Sequence, residues 1–168
     1  MASKESFDVT TGVDLQEVDN AVNQARKELV NRYDFKGVKF SIDFDRKEGS
    51  LTIHAPDGYK LEAIWDVLES KLIRRNVPLK NLKRGKIEDA AAGTVRQGIE
   101  LVQGLSSEIA REVVKAIKDA KLKRVQAAIQ ENQVRVSGPK RDDLQEVIHL
   151  LKEADFGVEL HFGNYRSG

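Results

Sequence analysis

Cysteine is absent from the 168 residues. That excludes disulfides, thiolate metal sites and cysteine nucleophiles, and it fits the cytosol. No apolar run approaches the roughly 20 residues that a membrane-spanning helix needs, so no membrane partner is expected. The opening Met1-Ala2-Ser3-Lys4-Glu5-Ser6 runs straight into a strand pattern without a charged-then-apolar leader, and no secretion signal is expected. Excess charge is lacking too. The net charge of +1 is far from that of a DNA-coating protein.

Several motifs fail for want of one residue type. Gly93 and Gly98 have phosphate-loop spacing, but Ile99-Glu100 follows where Lys-Ser/Thr should stand. Asp43 to His54 begins like a calcium loop, yet Lys47, Glu48 and His54 occupy positions five, six and twelve. His54, His149 and His161 are scattered without zinc-ligand spacing, and no Gly-x-Ser-x-Gly elbow occurs. The carboxylates are spread as helix surface charge, and no pair stands out for acid–base work. No catalytic residue, metal or cofactor is therefore expected.

What is present is a regular alternation of short patterns. Asp14 and Glu17 form a capping box, and Leu15, Val18, Val22, Ala25 and Leu29 follow as a helical stripe. Val38, Phe40, Ile42 and Phe44 alternate with polar residues, as do Leu51, Ile53 and Ala55, which predicts a hairpin. Asp57 caps a helix with Leu61, Ile64, Trp65, Leu68 and Leu72 inward, and Leu79 to Leu82 predicts a short strand. Together with Phe7-Asp8-Val9 this gives strand, helix, strand, strand, helix, strand.

The order then repeats. The strands are Val95 to Leu101, Val125 to Ile129, Val134 to Val136, and Val158 to Phe162. The helices carry Ile109, Val113 and Ile117, then Leu144, Val147 and Leu151, the second opened by Gly138 and by Pro139 as its first helical residue. The fold class expected is α+β. It consists of two ferredoxin-like βαββαβ modules, residues 1–90 and 91–168, each a four-stranded antiparallel sheet with two helices on one face. Lys83 to Gly93 reads as the linker, although it could extend a strand on either side. Residues 1–12 could instead pair with the second module.

Positive charge is clustered. Lys71 to Lys86 holds seven basic residues and no acid, among them Arg74 and Arg75. Lys115 to Arg124 holds five, including Lys118, Lys121, Lys123 and Arg124, against Asp119 alone. Both runs offer local potential for an anion, and both also suit a solvated surface. If the strand reading holds, Arg96, Arg124, Gln126, Gln130, Arg135, His161 and Tyr165 share the open sheet face of the second module. Without aromatics on the central strands, phosphate contact is expected to dominate over base stacking there. Lys140 and Arg141 stand beside a helix N-terminus whose dipole Asp142 and Asp143 already occupy.

Several runs are similar to the YajQ family of bacterial proteins. They are Asp14-Leu15-Gln16-Glu17-Val18, Tyr33-Asp34-Phe35-Lys36-Gly37, Lys71-Leu72-Ile73-Arg74-Arg75, Thr94-Val95-Arg96-Gln97, Lys118-Asp119-Ala120-Lys121-Leu122-Lys123 and Gln133-Val134-Arg135-Val136-Ser137-Gly138, followed by Lys140-Arg141-Asp142-Asp143-Leu144-Gln145. The resemblance spans nearly the whole chain. It implies paired ferredoxin-like domains and binding of nucleotides (cyclic di-GMP, GTP or ATP) or of RNA or DNA. For some relatives it implies a cyclic di-GMP receptor acting with a transcription regulator. Arginine pairs with guanine, stacks on it and contacts phosphate, so Arg74, Arg75, Arg96, Arg124, Arg135 and Arg141 are the candidates for such a ligand. The alternative is a protein-interaction adaptor that docks a partner on a sheet surface or edge strand.

Overall fold

The computed structural model describes residues 4–167. Eight strands and four α-helices alternate along them: β1 (Glu5–Thr10), α1 (Leu15–Asn31), β2 (Ser41–Asp45), β3 (Ser50–Ala55), α2 (Gly58–Arg74), β4 (Leu82–Asp89), β5 (Val95–Leu101), α3 (Ser107–Asp119), β6 (Gln126–Gln130), β7 (Gln133–Gly138), α4 (Arg141–Glu153) and β8 (His161–Ser167). Local chemistry sets the helix starts. Asp14 accepts from the backbone N–H groups of Gln16 and Glu17, Asp57 from Lys60, and Ser106 from Ile109. The N-cap of α4 is Lys140, whose side chain makes no capping bond. Pro139 precedes this helix by two residues and is not its first residue.

The strands form two sheets of four, β6-β7-β1-β8 and β2-β3-β5-β4, all antiparallel. The chain accordingly divides into a unit of residues 13–102 and a unit of residues 4–12 with 103–167. It passes between them at 12/13 and again at 102/103.

The discontinuous unit has its strands in the ferredoxin-like βαββαβ order, with β1 in a central slot between β7 and β8. In the continuous unit β5 fills the equivalent central slot, between β3 and β4, although it comes last in the chain. This module is therefore a circularly permuted version of the same arrangement, and the expected order does not simply repeat.

The expected boundary at 90/91 differs from this division. Residues 83–93 are no linker. They are most of β4 and a tight turn in which Ala90 N–H donates to Thr94 O at 2.8 Å and Ala92 and Gly93 take positive φ. That turn makes β4 and β5 one hairpin, so β5, and Arg96 with it, joins the sheet of residues 13–102. Leu79–Asn81 is a 3-10 turn leading into β4, not a strand.

Packing follows the sequence periods. In the continuous unit α1 buries Val18, Val22, Ala25 and Leu29, and α2 buries Leu61, Ile64, Leu68 and Leu72, against Ile42, Leu51, Ile53 and Ile99 of the sheet. In the other unit Phe7, Val9, Val134 and Val136 meet Val113, Ile117, Leu144, Val147 and Leu151. Phe7 and Phe162 make an edge-to-face pair at 6.2 Å.

Candidate functional site

The ten basic residues singled out in the sequence divide between the units. Arg74 and Arg75 end α2, and Arg96 lies on β5. Lys118 is in the last turn of α3, and Lys121, Lys123 and Arg124 form the loop before β6. Arg135 is on β7, Lys140 stands at the N-cap position of α4 without capping it, and Arg141 begins the helix.

The expectation of one open face shared by Arg96, Arg124, Arg135, His161 and Tyr165 changes with the topology. Arg96 is on the other sheet, where its guanidinium lies 3.8 Å from Glu88. Arg124 sits in the loop with φ of 65°. A register shift where β8 pairs with β1 turns Tyr165 out of the alternation. Its ring then lies under the Arg141 guanidinium, 5.2 Å from the ring centre, and its hydroxyl donates to Glu5.

Arg135 stays on that face, but it is occupied. Asp8, its cross-strand partner, is only 3% exposed and accepts from Arg135 Nε at 3.0 Å and from Asn164 Nδ2 at 2.7 Å, with Arg166 Nη2 at 3.5 Å. Burial alone would raise the Asp8 pKa. The hydrogen bonds from Arg135 and Asn164 and the charges of both arginines outweigh that and hold it below the ordinary 3.8. One carboxylate thus engages two cations at the centre of the sheet.

The face of the other sheet carries His54 on β3. Its Nδ1 lies 3.1 Å from Ser41 Oγ and 3.4 Å from Asp43 Oδ2. Both groups address the same ring nitrogen. A nucleophile relay needs them on opposite nitrogens, so this trio has no relay geometry. Among the described residues, no three of His, Asp and Glu converge as metal ligands do.

Cations do converge between α1 and α2. A cleft of about 470 Å³ there is lined by Lys27, Lys71, Arg74, Arg75, Gln24 and Asn76, with Glu17 at one side. Lys71 Nζ holds Glu28 at 2.8 Å, and this hydrogen bond, ahead of the Lys71, Arg32 and Arg74 charges, depresses the Glu28 pKa. Arg75 reaches Glu17 at 3.3 Å and donates from Nε to Gln24 at 3.4 Å. Lys27 and Arg74 make no ion pair among the described residues. Lys71 and Arg75 are thus held by carboxylates, whereas Lys27 and Arg74 are not.

The profile of the family described as "Nucleotide-binding protein YajQ-like" matches residues 5–166. The chain belongs to this family. Relatives are alike along their full lengths. The chain is 53% identical over 166 residues to a protein named "Nucleotide-binding protein" from Carboxydothermus hydrogenoformans, covering 99% of this chain and 100% of that one. It is 52% identical over 161 residues to one of the same name from Trichlorobacter lovleyi, covering 96% and 98%. A third, from Desulforamulus reducens, is 50% identical over 167 residues, covering 99% of each.

Within this YajQ-like chain, sequence reasoning marked Arg74 and Arg75 but missed Lys27, Gln24 and Asn76. A signal existed for two of them. Glu17, Gln24 and Lys27 recur at steps of seven and three, which puts them on one face of α1. Finding the cleft also required knowing that this face runs beside the end of α2.

Proposed function

We propose that the protein binds a nucleotide through its phosphates in the cleft between α1 and α2. The observation that carries this reading is the surplus of cations there: among the described residues, Lys27, Lys71, Arg74 and Arg75 make ion pairs with Glu17 and Glu28 alone. Lys71, Arg74 and Arg75 also complement the negative end of the α2 dipole, which accounts for their presence without any ligand. That explanation does not extend to Lys27, which belongs to α1 and precedes its last turn.

Arg74 and Lys27 take the phosphates, and Arg75, braced by Glu17 and Gln24, is pre-oriented. The Gln24 and Asn76 amides supply donors and acceptors for base edges. The cleft volume is within the range of small-molecule sites. The name shared by the relatives supports the same ligand class.

Among nucleotides, cyclic di-GMP suits the cleft best. Its two phosphodiester charges match the two cations left over, and arginine pairs with and stacks on guanine. A receptor of this kind would act with a transcription regulator, as the family resemblance implies.

Calorimetric titration with cyclic di-GMP, GTP, ATP and a short RNA at two salt concentrations tests the reading. Arg74→Ala and Lys27→Ala should each weaken binding by about tenfold or more, since hydrogen bonds to charged groups contribute about 1.5–3 kcal/mol. Lys140→Ala should leave it unchanged. Absence of heat with every ligand, or equal affinity in all variants, would refute it.

A further inference from the structure

The four sheet edges are not equally protected. An edge strand presents unpaired N–H and C=O groups, and folded proteins blunt it with charge, bulges or covering groups. At β2, Asp43 and Asp45 lie on the strand and the Arg26 guanidinium donates to Ile42 O. Along β4 run Lys83, Arg84, Lys86, Glu88 and Asp89, and the register shifts between Arg84 and Ile87. The β8 edge has its own register shift, and Arg166 is engaged with Asp8.

The β6 edge has no such device. Gln126-Ala127-Ala128-Ile129-Gln130 contains no charge and no proline, and it pairs with β7 in unbroken register. Ile129 is 43% exposed. Beside the edge, the apolar residues Ile117, Leu122, Val125, Ala127 and Ala128, together with Lys118 and Gln126, line a groove of about 470 Å³. Lys121, Lys123 and Arg124 follow in the adjoining loop, all exposed. These four cations make no ion pair among the described residues.

We infer that β6 is a docking edge for an acidic, extended peptide segment of another protein, which adds to this sheet as a fifth strand. The edge supplies main-chain hydrogen bonds, the groove takes apolar side chains, and the cations meet the acidic ones. A second copy of the chain is the poorer occupant, because antiparallel β6–β6 pairing sets the four cations of each copy beside the far end of the other's strand, where β6 and its turn offer Glu131 as their single acid. RNA would satisfy the cations but leave the apolar groove and the strand's backbone groups unmet. The inference is independent of the α1–α2 cleft, since every residue it uses belongs to the other unit.

A fluorescein-labelled heptapeptide alternating glutamate and valine serves as the probe, with a lysine–valine counterpart as control. The full-length protein should bind the acidic peptide and not the basic one. Amide hydrogen exchange should slow at residues 126–130 on binding. The double variant Lys118→Glu with Lys121→Glu, both at exposed positions, should bind about tenfold more weakly or worse while its circular dichroism is unchanged. Arg74→Ala should bind the peptide normally, which separates this site from the nucleotide cleft. No binding at millimolar peptide, or binding that leaves 126–130 unprotected, would overturn the inference. So would protection of 126–130 by a short oligoribonucleotide that the peptide does not displace, which would make the groove an RNA site. Concentration-dependent protection of the same amides without peptide, with a dimer in sedimentation, would assign the edge to a second copy instead.

Discussion

Asp8 shows how one residue changes the meaning of its neighbours. On β1 it alternates with the core residues Phe7 and Val9 and looks like an ordinary solvent-facing acid. Its position beside β7 and β8 instead encloses it among Arg135, Asn164 and Arg166. Its pKa is depressed on folding, so it adds stability at pH values above the unfolded carboxylate's 3.8, and that contribution disappears as pH falls through the lower folded value. Asp8→Asn should therefore cost about 2 kcal/mol near pH 7, the scale of hydrogen bonds to charged groups. The gap between variant and wild type should close as pH falls below 3.8 and through the lower folded value. Urea unfolding at several pH values checks both statements. A gap that persists unchanged at low pH would mean that Asp8 acts by packing rather than by charge. The sequence showed Arg135 as a cation on an open face, but it could not show the acid beside it, since Asp8 is more than a hundred positions away.

At the scale of elements, α4 is the helix whose start is least well made. Lys140 holds extended backbone angles at its N-cap, where a hydroxyl or carboxylate would accept a backbone N–H. Lys140→Ser should stabilise the protein by about 1 kcal/mol, the usual worth of a cap, as read from the denaturant midpoint. No change would indicate that water already satisfies the first turn. The helices α1 and α2 were legible from Asp14 and Asp57 because their caps are written locally, and α3 from the stripe of Ile109, Val113 and Ile117. The hairpin of β2 and β3 was legible from alternation. β4 was not, because only Leu82 among its eight residues is buried and a period-two pattern needs an apolar face. Once β4 was read as a linker, β5 was assigned to the module that follows it.

For the molecule as a whole, both central slots, β1 and β5, are filled by strands at the far ends of their units. A cut at 90/91 would take β5 from the first sheet and leave β1 behind from the second. The segment of residues 13–102 expressed alone should fold, with dispersed amide resonances and a cooperative transition, because its sheet and both covering helices are complete. The segment of residues 91–168 should not fold, because it lacks β1. Independent folding of the latter would contradict the strand assignment. Each module's general class was readable from the order of its elements. The permutation was not, because alternation says which way a side chain points and not which strand lies beside it.

The most direct test of nucleotide binding between α1 and α2 is a titration of the isotope-labelled protein with cyclic di-GMP, followed by amide and side-chain NMR. Binding there predicts saturable shifts centred on Gln24, Lys27, Arg74, Arg75 and Asn76, lost in Arg74→Ala. Saturable shifts centred instead on residues 118–124 or 140–141, with the cleft signals unmoved, would contradict it.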